Sequence, residues 1–114
     1  MELIKRGDIC WIKLDPIEGS EIGKTRPAVI ISNDINNELA DTVTILPITS
    51  KVGKMYPFEV FIPAGIANLE KDSKAKANQI RTVDKKRIKG AIGTTPASIL
   101  KEIERAVKIH LDLK

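Results

Sequence analysis

Apolar positions along the chain fall mostly into short clusters, each bounded by glycine, proline or small polar residues. Runs of that length predict strands rather than helices. Residues 8–14, with Ile9, Trp11 and Ile12, predict the first strand. Residues 28–32 (AVIIS) predict a buried second strand. Residues 42–48 (TVTILPI) are β-branched and predict a third, and Pro47, which cannot donate to a ladder, points to an edge or a bulge there. Residues 58–62 and 73–80 predict two more strands, residues 84–88 a single helical turn, and residues 90–94 a last short strand. The one 3.6-residue stripe begins at Pro96 and runs through Ile99, Leu100, Ile103, Ala106, Val107 and Leu111. Lys101, Glu102, Glu104, Arg105 and Lys108 lie mostly on the opposite face. Thr95 is the expected N-cap, with Pro96 as the first helical residue. Several short strands followed by one helix make an α+β, mainly-β, barrel-like domain.

Three segments lack periodicity. Residues 15–27 hold Pro16, Gly19, Gly23 and Pro27 and read as a long loop, a length that often marks function. Residues 51–57 read as a polar turn and residues 63–72 as a loop. At 114 residues, one domain spanning 1–114 is expected.

Composition narrows the chemistry. The apolar share of 42% excludes a disordered chain. Trp11, Tyr56, Phe58 and Phe61 are the only aromatics of their kind, so the core must be Ile, Leu and Val, and any base-stacking platform must be small. Cys10 is the single cysteine, which rules out an internal disulfide and a thiolate zinc site. The opening stretch MELIKRGDICWIKL lacks the apolar run of a secretory leader, and no stretch approaches the roughly 20 apolar residues of a membrane span. A cytoplasmic location without a membrane partner is the expectation. The net charge of +4 is compatible with an acidic partner such as nucleic acid.

His110 is the single histidine and sits beside the helix stripe, where it reads as a helix-edge residue. With a single His and a single Cys, no His-metal cluster can form. Asp8, Asp15, Glu18 and Glu21 have spacing that fits no metal loop and read as solvated charges. No metal or other cofactor is expected. The informative stretch is EGSEIGKTRP, residues 18–27. Gly19 and Gly23 permit tight or left-handed backbone. Arg26 precedes Pro27, which biases it to extended geometry. Its planar fork suits a phosphate clamp, and equally a surface ion pair with Glu18 or Glu21. Thr49, Ser50 and Lys51 follow a predicted strand and form either a second phosphate contact or an ordinary turn.

Seven blocks, in order and with matching spacing, resemble the MazF/PemK family of toxins. They are Arg6-Gly7-Asp8-Ile9, Leu14-Asp15-Pro16, Gly19 to Ile30, Ser32-Asn33-Asp34, Ile48-Thr49-Ser50 and Leu69-Glu70-Lys71-Asp72-Ser73, followed by Gln79-Ile80-Arg81-Thr82-Val83-Asp84. The resemblance covers nearly the whole chain. It implies an SH3-like small barrel of roughly five to seven strands with a C-terminal helix, acting as a homodimer. It implies metal-independent, sequence-specific cleavage of single-stranded RNA, chiefly messenger RNA. The family's essential arginine falls on Arg26 and its essential threonine on Thr49. Ser20, Glu21 and Gln79 match positions near the RNA, with Glu21 the candidate base, and Lys24, Ser50 and Lys51 complete the expected RNA contacts. Many relatives carry glutamate where this chain has Asn78, so the cut sequence does not carry over.

The implied mechanism suits these residues. The RNA's own 2′-hydroxyl attacks, Arg26 stabilises the charge growing on phosphorus and protonates the leaving 5′-oxygen, and Thr49 donates to a phosphate oxygen. A cognate antitoxin is implied as partner, an acidic segment folding over the basic groove, with the helix face and the strand ends near Thr49 as candidate surfaces. The rival readings are a non-catalytic, gyrase-poisoning toxin and a plain nucleic-acid-binding module on the same fold.

Overall fold

The computed structural model describes residues 3–114, so the first two residues of the opening stretch lie outside it. The elements are β1 (Asp8–Lys13), β2 (Thr25–Ile30), α1 (Asp34–Leu39), β3 (Thr42–Thr49), β4 (Glu59–Ile62), β5 (Ser73–Lys76), β6 (Arg81–Asp84), β7 (Ile88–Thr94) and α2 (Ala97–Leu111). The strands form one antiparallel sheet in the order β4-β5-β3-β2-β1-β7, with β6 also paired to β3. The mainly-β architecture with a C-terminal helix agrees with the sequence pattern.

Period-two alternation gives the sheet two buried faces. Cys10, Ile12, Leu14, Ala28, Ile30, Val43, Ile45 and Val83 fill one cluster. Ile9, Val29, Leu46, Ile48, Val60 and Ile62 fill the other, which Ile103 and Ala106 of α2 close. The helix stripe thus packs as expected, except that Leu111 is 45% exposed because α2 outruns the sheet. Burial, with Asp8 adding to it, pushes the Cys10 thiol up to about 11, so the thiol stays protonated and inert.

Five local expectations are corrected. Residues 73–80 are not one strand: after β5 a short 3₁₀ turn, Ala77–Gln79, shifts the chain before β6. The step is needed because β3 pairs with β6 over Thr42 to Ile45 and with β5 only at Ile48 and Thr49. Pro47 lies in a central strand, not an edge; it faces Ala28 of β2, and its other flank falls in the gap between β6 and β5. Arg26 and Pro27 belong to β2 rather than to the loop before it. Pro27 is tolerated because it pairs with Trp11 on one side, while the register with β3 begins only at Ala28. Thr95 is not the cap: its N–H goes to the Gly7 carbonyl (2.9 Å), its buried Oγ1 has no hydrogen-bond partner, and Pro96 holds the N-cap position. Finally, α1 was not anticipated. Asn33 caps it by accepting from the Asn36 N–H at 2.8 Å, but its Ile35 and Leu39 are exposed, so no apolar stripe announced it.

Candidate active site

The loop between β1 and β2 brings the predicted site together. Its stem is tied from the far end of the chain: Arg81 donates to the Leu14 carbonyl (3.1 Å) and Arg87 to the Lys13 carbonyl (2.9 Å). Gly23 lies close against the Asp15 and Ile17 side chains, which a Cβ there would force to shift. The left-handed residue beside it is Lys24 (φ 65°), whose carbonyl accepts from the Leu14 N–H at 2.8 Å. This tight stem hands the chain into β2 with Arg26 as its second residue.

Arg26 is half-buried, and its Nε donates to the Gly23 carbonyl at 3.2 Å. Among the described residues it forms no ion pair with Glu18 or Glu21, so the surface-pair alternative falls away. The bond to Gly23 uses the Nε proton and leaves the terminal NH₂ groups to face a ligand.

Arg26 and Thr49 line one cleft of about 410 Å³, together with Glu21, Lys24 and Lys51. Thr49 ends β3, and its Oγ1 accepts from the Lys51 N–H at 3.1 Å. A hydroxyl that already accepts presents its own proton outward, so Thr49 is arranged as a donor. The Glu21 carboxylate accepts from the Glu18 N–H at 2.6 Å through one oxygen, which leaves the other for a ligand proton.

Two further depressions flank this cleft. On one side, Glu21 also lines a hollow of about 370 Å³ with Ser20, Asn78, Gln79 and Arg81. Gln79 holds the loop tip there: it accepts from the Ile22 N–H (3.3 Å) and donates to the Ser20 carbonyl (3.4 Å). On the other side, Arg26 lines a cleft of about 520 Å³ with Trp11, Ser50 and the loop before β5. Arg26 and Glu21 are therefore shared walls, and the three depressions form one row with Arg26 and Thr49 in the middle. All eight site residues expected from the sequence lie on this row.

The comparisons follow the same line. Residues 5–111 match the family of PemK-like, MazF-like toxins of type II toxin–antitoxin systems. The chain belongs to this family. It is 40% identical to Endoribonuclease MazF9 of Mycobacterium tuberculosis, an alignment covering 97% of this chain and 98% of that protein. Its fold is similar to the crystal structure of MazF from Deinococcus radiodurans, with a TM-score of 0.86, 27% identity and coverage of 99% and 100% of the two chains. A mycobacterial endoribonuclease solved in complex with its cognate antitoxin has the same fold at 19% identity, with a TM-score of 0.81 and 97% coverage of each chain.

Within this toxin-family fold, several site features were not anticipated from sequence. Trp11 was assigned to a strand and no more. Arg81 stands in a recognised block, but its role of holding the loop stem was not foreseen. Lys74 and Glu59 form an ion pair buried at 7% and 1% side-chain exposure. Glu59, opening the otherwise apolar strand β4 (EVFI), was the available signal for that pair. The pair braces the residues that follow Thr49: Lys74 sits opposite Thr49 in the register and donates to the Lys54 carbonyl at 3.0 Å. His110 is exposed and stands near Phe58 (ring centroids 6.3 Å apart), and it lines none of the three depressions. No helix of the described residues is long and apolar enough to cross a membrane. Among the described residues no group of three or more His, Cys, Asp or Glu is placed to hold a metal ion.

Proposed function

We propose that this toxin is an endoribonuclease that cuts single-stranded RNA through the substrate's own 2′-hydroxyl. The observation that carries the reading is the shared cleft: an arginine with free terminal NH₂ groups, a threonine oriented to donate, two lysines and the carboxyl residues Asp15 and Glu21 surround one space. Arg26 pairs with the non-bridging oxygens of the scissile phosphate and stabilises the charge that builds as the 2′-oxygen attacks. Thr49 donates to one of those oxygens. Glu21 takes the 2′-hydroxyl proton, and Arg26 delivers a proton to the departing 5′-oxygen. Lys24 and Lys51 hold the flanking backbone. Ser20 and Gln79 extend the contact along the hollow beyond Glu21, and Ser50 extends it on the Arg26 side. Asn78 in that hollow is a neutral amide that both donates and accepts, so base preference there differs from that of a relative with a carboxylate. The relative named Endoribonuclease MazF9 supports the activity class.

The expected setting is cytoplasmic, on messenger RNA, as a single-domain homodimer restrained by a cognate antitoxin. An acidic antitoxin segment would cover the cationic row and the exposed end of α2.

The test is chemical. Products should carry a cyclic 2′,3′-phosphate and a free 5′-hydroxyl. Replacing only the nucleotide 5′ to the cut with its 2′-deoxy form should stop cleavage while binding persists, because the phosphates remain. EDTA should leave the rate unchanged. Loss of activity in EDTA, or cutting of the deoxy-substituted strand at the same bond, would overturn the reading.

A further inference from the structure

The cleft on the Trp11 side of Arg26 is built with more care than a passive surface needs. Trp11 is the single tryptophan and stands 45% exposed on β1. It lies against the register shift between Trp11 and Ile12 in the β1–β7 pairing, the kind of bulge that re-aims a side chain. Its cross-strand neighbours are Pro27 on β2 and Gly90 on β7. The glycine leaves that flank of the indole without a side chain.

The facing wall is a loop in a demanding conformation. Ala67 (φ 52°) and Asn68 (φ 63°) are consecutive non-glycine residues in the left-handed region. Two contacts hold them there. Gly93 lets the Ala67 carbonyl approach so closely that a Cβ at 93 would collide with it. Asn68 donates its side-chain N–H to the Ile92 carbonyl at 2.8 Å. That bond leaves the Asn68 Oδ1 as an acceptor. Leu69 and Ile48 provide the apolar floor, and Glu70 sets a carboxylate on the rim. Two acceptors, an open indole face and an apolar floor thus surround about 520 Å³, within the range of about 300–1,000 Å³ of small-molecule sites.

We propose that this cleft is a nucleobase pocket, and that it selects the base of a nucleotide adjacent to the phosphate held by Arg26. The inference rests on the ribonuclease reading. A phosphate on Arg26 places its neighbour within reach of Trp11, since Arg26 is a wall of both clefts. The base stacks on the indole. Glu70 and the Asn68 Oδ1 accept from its exocyclic amino group, as carboxylates accept from the cytosine amino group in base recognition. Uracil has no amino group and is selected against at this position. Neither Trp11 nor Glu70 lines the Arg26–Thr49 cleft, so their effect is on selection and affinity, not on the chemical step.

Because Trp11 is the only tryptophan, its emission reports this cleft alone. Single-stranded RNA 2′-deoxy-blocked at the cut, added to the unmodified protein, should quench it, and an equally blocked all-uracil strand should quench it less. In active protein, Trp11→Ala should lower kcat/KM by about 5- to 150-fold, chiefly through KM. Sequenced cut ends should show uracil depleted at one position beside the cut in the unmodified protein. Glu70→Gln should admit uracil there while every other position keeps its preference. Trp11→Phe keeps a stacking ring should the alanine variant fail to fold, and should retain most of the activity. The proposal is overturned if labelled RNA binds without changing tryptophan emission. It is equally overturned if both Trp11→Ala and Glu70→Gln cut the same sequences at unchanged rates. Trp11→Ala that alters only the sedimentation of the protein would reassign the cleft to contact between copies. Unmodified protein that cuts no RNA but quenches on binding would sink the ribonuclease reading and leave the pocket standing.

Discussion

The two polar loops that meet at the Arg26–Thr49 cleft are held in opposite ways. Residues 15–24 are mostly exposed, and side chains from distant parts of the chain tie them through backbone groups: Arg81 and Arg87 at the stem, Gln79 at the tip. The tip bonds are long, at 3.3 and 3.4 Å, and the second is open to water. Residues 50–58 hang on a buried ion pair instead. Lys74 Nζ lies 2.9 Å from Glu59 Oε1, the same oxygen accepts from the Tyr56 N–H at 3.0 Å, and the Lys76 ammonium stands 3.3 Å from Oε2 without hydrogen-bond geometry. Tyr56 and Phe58 stack at 5.4 Å above this anchor. Water competes for the first set of bonds and not for the second. The contrast assigns roles: residues 50–58 are the rigid platform for Thr49 and Lys51, and residues 15–24 are the part that yields to a ligand.

The largest expected effect tests whether both loops serve one centre. Arg26→Ala should cut RNA at least ~10³-fold more slowly, and Thr49→Ala ~10²-fold more slowly, each with an unchanged thermal midpoint. A well-folded Arg26→Ala protein with full activity would separate the loops from any shared chemistry.

Next comes the buried pair. Lys74→Ala strands a buried carboxylate and should cost about 3–5 kcal/mol in urea unfolding, whereas the paired change Lys74→Met with Glu59→Leu should recover most of that loss. The same pair predicts an acid transition. Desolvation raises the Glu59 pKa, but hydrogen bonds from Lys74 and the Tyr56 N–H outweigh it, so the carboxyl sits below its ordinary value of 4.5. A lowered folded pKa means the stabilisation is complete above 4.5 and is lost as pH falls through the folded value. Glu59→Gln should flatten the stability curve in that window; an unchanged acid midpoint would break the comparison from the rigid side.

The yielding loop should respond more weakly. Gln79→Ala removes two long bonds, one exposed and one part-buried, so it should cost about 1 kcal/mol or less, well below the loss in Lys74→Ala. Amide exchange in residues 15–24 should quicken while residues 50–58 keep their protection. Equal protection of both loops in the unmodified protein would remove the distinction. Smallest of all, His110→Ala should cut RNA at nearly the normal rate, because the ring touches only the outer edge of the Phe58 stack. A dead His110→Ala enzyme would move the chemistry to α2.

What could be read from the sequence was whatever local patterning encodes. Period-two runs marked β1, β3, β4 and β7, and the 3.6-residue stripe marked α2, because side chains at those spacings share a face whatever surrounds them. Arg26, Thr49, Glu21 and Gln79 were found through ordered motif blocks, since no single block identifies a site by spacing alone. Local signals failed where a distant partner outvoted them. Pro27 and Pro47 sit inside paired strands because their missing donors fall beside gaps in the neighbouring ladder. Thr95 gave up its cap when its N–H found Gly7. Residues 73–80 broke in two because β3 has to pair with both halves.

By itself, then, the sequence determined most of the element types and the mixed α+β class, because these depend on spacing and residue chemistry within a few turns of chain, while Arg26 and Thr49 were singled out by the order of the motif blocks. Only the tertiary structure decided that Arg26 and Glu21 would be walls shared between neighbouring depressions, that Trp11 would face a strained loop held by Gly93, and that Lys74 would lie buried across from Thr49. Those arrangements join residues tens of positions apart. They exist because burying two apolar sheet faces and satisfying every ladder bond leaves the chain few registers to choose from.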